Sequence, residues 1–122
     1  MIACLCVGIG GGIGAVLRYL AGIALYHETF PAATFCVNAA GAVLIGMVIG
    51  VSEQTNAPEN LILFLKTGVC GGFTTFSTFS SEVLELLEKK HCLLAAGYSF
   101  GSVILCILGV WLGKWISHMI LK

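Results

Sequence analysis

The sequence predicts an all-α integral membrane protein with four transmembrane helices, the third broken near Gly71-Gly72, pairing as an antiparallel dual-topology homodimer. Three observations predict it. Of the 122 residues, 58% are hydrophobic and 10% charged, a balance far from that of a water-soluble domain. The apolar residues fall in four runs, about 2–25, 33–51, 61–87 and 93–121, each near the roughly 20 residues that cross a hydrocarbon layer. The basic residues, finally, divide evenly. Four spans put Lys66, Lys114 and Lys122 on one face of the membrane and Arg18, Lys89 and Lys90 on the other, so the positive-inside rule gives no orientation. Either a partner subunit fixes the orientation, or copies insert both ways and pair antiparallel, a single-chain route to the inverted-repeat architecture of many transporters.

The first span carries its only positive charge, Arg18, late in the run and lacks a basic n-region, so it is expected to be a membrane helix rather than a cleaved leader. Within it, "GGGIGA" (Gly10 to Ala15) satisfies the glycine pattern of dinucleotide-binding folds. That pattern works only between a strand and a helix, with an acidic ribose partner downstream, and neither condition is met. The glycines read instead as packing positions. Gly8/Gly12, Gly10/Gly14, Gly46/Gly50, Gly97/Gly101 and Gly109/Gly113 all keep the four-residue interval that lets helix backbones approach in lipid. Arg18 snorkels to the interface, where it serves either as an anchor or as an anion-attracting group in a vestibule.

The second span holds Asn38, whose amide offers two donors and one acceptor. Polar groups at membrane depth are costly and point to function. Asn38 is therefore either interhelical glue or a donor facing an aqueous path. Neither of the first two spans contains Asp or Glu, which argues against a proton- or cation-coupled exporter, since such exchange usually needs a central carboxylate. That small dual-topology multidrug or cation exporter is the rival reading.

The third span contains "GVCGGFTTFSTF" (Gly68 to Phe79). Adjacent glycines weaken a helix by about 1 kcal/mol each, so a break is expected there. Broken backbone at membrane depth must be shielded by protein or line a cavity, and its freed carbonyls can hold a small cation. Beyond the break Phe73, Phe76 and Phe79 stack on one face, with Thr74/Thr78 and Ser77/Ser81 beside them. Glu82, Glu85 and Glu88 follow at one-turn spacing and are expected to face water. In the fourth span Tyr98, Ser102 and Cys106 form a second polar stripe. Back-bonding to the preceding turn could absorb any one of these hydroxyls, but not both stripes together with Asn38. The six cysteines lack a C-x-x-C pair and read as small apolar residues rather than metal ligands. Ring edges are positive and hydroxyls and amides donate, so the pattern suits a small, strongly hydrogen-bonding anion.

At these residues the chain resembles the small bacterial fluoride channels, the Fluc/CrcB family. "GGGIGAVLRY", "TFCVNAAGAVLIG" and "GVCGGFTTFSTFS" match its signatures in order and spacing, over essentially the whole length. The resemblance implies a channel rather than an enzyme: a dual-topology homodimer in the bacterial plasma membrane, passively exporting fluoride through two antiparallel pores. It implies a structural sodium ion at the dimer centre on the backbone carbonyls of Gly71 and Thr74. Pore residues would be Asn38, Phe76 and Phe79, with Ser77, Thr78, Tyr98 and Ser102 as a polar track and Arg18 in the vestibule. Cys106 departs from the pattern, which has a hydroxyl there.

Overall fold

The protein, described from Met1 to Lys122 by a computed structural model, is built of helices without strands. α1 (Ile2–Ala24) and α2 (Ala32–Gln54) come first. α3 (Glu59–Ile62), a π-helical segment (Leu63–Cys70) and α4 (Gly71–Phe73) then run on from one another. Thr74 and Thr75 are extended, α5 (Phe76–Glu88) resumes the path, and α6 (Cys92–Ile120) is the last helix. Residues 59–88 thus act as one span, and four stretches are long and apolar enough to cross a membrane.

Only 17 of the 122 residues are buried, so the apolar content is not spent on a water-excluding core. Leu5, Ile9, Val16 and Leu20 on α1, with Phe100, Ile104, Ile107 and Trp111 on α6, point outward. Surfaces of this kind are tolerated against lipid tails or another subunit. The chain is a multi-pass membrane protein.

Helix pairing follows the glycines. α1 lies against residues 59–73, and α2 lies against α6. A side chain at Gly10 or Gly14 would overlap the backbone of Phe64 or Val69, and one at Gly72 would overlap Gly11. On the other seam Gly46 faces the Val110 carbonyl, Gly50 the Ser117 side chain, and Gly113 the Val43 carbonyl. Backbones this close gain dispersion contacts that lipid cannot replace. The Gly8/Gly12 and Gly97/Gly101 pairs, by contrast, have nothing within 4 Å. Three of the expected pairs therefore build the bundle and two do not.

The break in the third span falls just beyond the glycine pair. Gly71 is helical (φ −64°, ψ −38°), while Thr74 (φ −80°, ψ 157°) and Thr75 (φ −149°, ψ 121°) are extended. Gly72 is needed for the close approach to α1, and the chain leaves the helix only where Thr75 finds substitute partners. α2 also runs past the expected Val51 and takes in Glu53, whose carboxylate accepts from Lys114 Nζ at 2.7 Å, with His118 Nε2 at 3.8 Å. At the far end a tight turn joins α5 to α6. Lys90 N–H donates to Leu87 O and His91 N–H to Leu86 O, both at 2.9 Å. This is the Schellman pattern, with Lys90 in the left-handed region (φ 62°).

Candidate functional site

Asn38 on α2 organises the break. Its Nδ2 donates to Thr75 O at 2.9 Å, and its Oδ1 accepts from Thr75 N–H at 2.8 Å. One side-chain amide thereby stands in for a missing peptide neighbour, satisfying both backbone groups of an extended residue at membrane depth. Thr75 in turn caps α5: its Oγ1 accepts from Thr78 N–H at 3.2 Å and donates to Thr78 Oγ1 at 3.0 Å. The reading of Asn38 as glue thus has a concrete form, and one amide hydrogen is left over for another acceptor.

These bonds have a consequence for the carbonyls upstream. In a continuous helix Thr75 N–H would bond to Gly71 O, and Thr78 N–H to Thr74 O. Here both amides are diverted to side chains, so the Gly71 and Thr74 carbonyls lose their helical partners. Gly72 O is taken by Arg18 Nε at 3.0 Å. Cys70 O receives both the amide (3.0 Å) and the hydroxyl (2.9 Å) of Thr74. Carbonyls without helical partners are hard oxygen donors of the type that suits an alkali cation.

Two cavities meet at this point. The larger, about 680 Å³, is a vestibule whose titratable lining comprises Arg18, Tyr26, His27, Glu28, Glu82, Glu85, Lys89 and His91; Thr34 and Thr78 also line it. The smaller, about 380 Å³, is a groove open on one side, with Asn38, Thr74, Phe76, Phe79, Ser102 and Cys106 in its wall and no charged residue. Thr75 lines both. Phe76 is largely exposed, its ring centroid 5.7 Å from that of Phe79. Ser102 is 7% exposed, and its Oγ is the one buried side-chain polar atom without a hydrogen-bond partner. Such an atom calls for an explanation, and it lies in the wall of the groove.

The sequence-predicted residues therefore sort themselves by place. Asn38, Phe76, Phe79 and Ser102 share the groove, while Arg18 and Thr78 line the vestibule. Ser77 is exposed and lines neither cavity; its hydroxyl lies 3.4 Å from Thr75 Oγ1. Tyr98 stands behind Phe79, with ring centroids 5.1 Å apart. Its hydroxyl donates to Glu82 Oε2 at 2.7 Å, while Thr34 Oγ1 donates to Glu82 Oε1, also at 2.7 Å.

That pair of bonds corrects the expectation for Glu82. Glu85 and Glu88 are exposed, but Glu82 is half-buried and held between two hydroxyls. The i, i+3 spacing of three acids looked like a wetted face. The signal to the contrary was the short α5–α6 turn, which folds residue 98 back against residue 82. Thr34, which bonds Glu82, and Thr75, which links Asn38 to Thr78, carry no signal of this in the sequence, because each looks like an ordinary helix-boundary hydroxyl.

Comparison with known proteins agrees with the motifs. The family profile described as CrcB-like protein, Camphor Resistance (CrcB), matches residues 5–114. A protein of Phocaeicola vulgatus named fluoride-specific ion channel FluC is 45% identical over 121 residues, covering 97% of this chain and 100% of that one. Proteins of the same name are 44% identical in Flavobacterium psychrophilum, covering 88% and 90% of the two chains, and 45% identical in Novosphingobium aromaticivorans, covering 93% and 94%. Matches of this extent, on a four-span fold with the same broken third helix that the motifs imply, show that the chain belongs to the CrcB-like family.

Proposed function

We propose that the protein is a fluoride-selective channel: two oppositely inserted copies close the open groove of each subunit into a pore, and fluoride leaves the cytoplasm passively through the two pores. The observation that carries the reading is the partnerless Ser102 hydroxyl beside Asn38 and Phe79 in an uncharged groove. A hydroxyl left without a protein acceptor is available to an ion that accepts. Fluoride gives up its water only where donors replace it continuously and no single station holds it too tightly.

The sequence of events follows from the lining. Among a lining in which three carboxylates outnumber Arg18 and Lys89, Arg18, bonded to Gly72 O beside the break, offers the anion a local positive station. The anion then passes Thr78 and Thr75, takes the spare amide hydrogen of Asn38, and moves between the ring edges of Phe76 and Phe79 toward Ser102. Chloride is larger and gains less from short hydrogen bonds, so the same donors favour fluoride. The freed carbonyls of Gly71 and Thr74 would hold a sodium ion. When bound, its positive charge offsets the cost of bringing an anion to membrane depth. The physiological logic is simple. Acid outside the cell favours entry of neutral HF, which ionises within, and the channel lets the trapped anion out.

A small cation exporter would need a carboxylate in the conduction path. The groove holds none, and Glu82 is engaged by Thr34 and Tyr98 on the vestibule side. The test is efflux from proteoliposomes loaded with fluoride or with chloride, followed by ion-selective electrodes. Fluoride release with chloride retained is the expected result, and no release of fluoride from liposomes containing the pure dimer removes the reading.

A further inference from the structure

We propose that Cys106 is a thiol-modification site in the anion path, where a small sulfenyl adduct closes the pore. The proposal rests on reading the groove as half of a fluoride path. Cys106 lies one helical turn beyond Ser102 and two beyond Tyr98, in steps of about 6 Å along α6. Ser102 and Cys106 both line the groove. The neighbouring Ser102 hydroxyl, buried and without a partner, independently marks this stretch of wall as a place where a ligand is to be met. The thiol is half-buried and free, and none of the other five cysteines lines the groove.

Its position makes Cys106 a place where an added group matters. A thiol is a weak donor, so it is the poorest station of the stripe before any modification. Across the groove the wall is small, Gly41 and Ala42, and those residues are committed to packing: a side chain at Gly41 would overlap Thr74, and Ala42 Cβ already lies 3.1 Å from where a side chain on Gly109 would begin. Those residues cannot move aside, so an added group takes up space within the groove itself. In the reaction with methyl methanethiosulfonate the Cys106 thiolate attacks the sulfenyl sulfur. A disulfide forms as the S–SO2 bond breaks, methanesulfinate leaves with the electron pair, and the thiol proton passes to water. Dithiothreitol reverses the adduct by exchange.

The experiment uses full-length protein in fluoride-loaded liposomes, treated with methyl methanethiosulfonate, with adducts mapped by peptide mass and each rate compared with the same protein untreated. The expected result is at least about a tenfold slowing that dithiothreitol restores. It should be absent in C106A and present in a chain that keeps Cys106 while its other five cysteines are alanine. Full flux with the adduct on Cys106 overturns the proposal, as does block that persists in C106A. Modification of the other thiols with Cys106 untouched does the same. Absence of fluoride flux before treatment instead removes the underlying reading, which the untreated arm reports separately.

Discussion

The vestibule and the groove meet at Thr75 yet are built from opposite materials. The vestibule presents Arg18, Lys89 and three carboxylates; the groove presents amide, hydroxyl, thiol and aromatic rings without one formal charge. The difference reflects where each lies. In water, charges gather ions at little cost because screening keeps each interaction small. At membrane depth a fixed charge is expensive and would trap a counter-ion, so transfer has to rely on dipoles. In the proposed channel the division of labour is a meeting with Arg18 in the charged vestibule and passage by dipoles in the groove.

The strongest way to break that division is to place a charge in the groove. Asn38→Asp replaces the Nδ2 donor to Thr75 O with an acceptor and brings a carboxylate onto the anion's route. Losing a donor to a buried carbonyl costs about 1–3 kcal/mol, with anion repulsion added, so fluoride flux in liposomes should fall by at least about a hundredfold. Unchanged flux at neutral pH would leave Asn38 as a clamp and nothing more. Phe79→Ile keeps the groove apolar but removes the ring edge and the 5.1 Å contact with Tyr98. Flux should fall about tenfold, since aromatic pairs and quadrupole contacts are worth about 0.5–1.5 kcal/mol, while the dimer still elutes intact on size exclusion. A variant that conducts normally takes Phe79 out of the path.

How much of this was legible beforehand differs between the two regions. The groove was largely readable, because intramembrane Asn, Ser and a Phe ladder have few explanations and helical spacing says which of them share a face. Its fine placement was not. Gly71-Gly72 reads as the break, whereas the helix gives way only at Thr74 and Thr75, where Asn38, 37 residues from Thr75 in sequence, bonds both backbone groups of Thr75. No local pattern carries that information. The π-helical turns of Leu63–Cys70 likewise left no mark in the residues. The vestibule is less legible in the sequence. Glu82 belonged to a tidy acidic periodicity, and its two hydroxyl partners come from α2 and α6, so the three-dimensional return of the chain decided its role. The glycine pairs show the same limit: spacing identifies close approaches, but Gly97/Gly101 obeys the rule and touches nothing.

Tyr98→Phe probes the border between the regions. It removes one of the two donors on Glu82, and a hydrogen bond to a charged group contributes about 1.5–3 kcal/mol; with the carboxylate only half-buried, the lower end applies. The midpoint of thermal unfolding in detergent should drop, and flux should fall by only a few-fold. A flux loss matching that of Phe79→Ile would instead put the Tyr98 hydroxyl on the anion's route, extending the groove toward α6's first turns.

The smallest effect is expected at the α5–α6 turn, where Lys90 lies between two vestibule residues, Lys89 and His91. A non-glycine residue in the left-handed region costs about 1–2 kcal/mol, part of which glycine gives back through its greater freedom in the unfolded chain. Lys90→Gly should therefore raise stability by about 0.5–1 kcal/mol without moving the backbone, because the φ of 62° suits glycine and the two bonds of the turn are made by main-chain atoms. It also deletes one basic group near the entrance without touching the groove. If passage through the dipolar groove limits the rate, flux at saturating fluoride stays constant while the unfolding midpoint rises. If flux falls with the lost charge, collection at the mouth is limiting. The effect should then shrink as salt is added, since screening within about 10 Å at 0.1 M would already have weakened what Lys90 contributes.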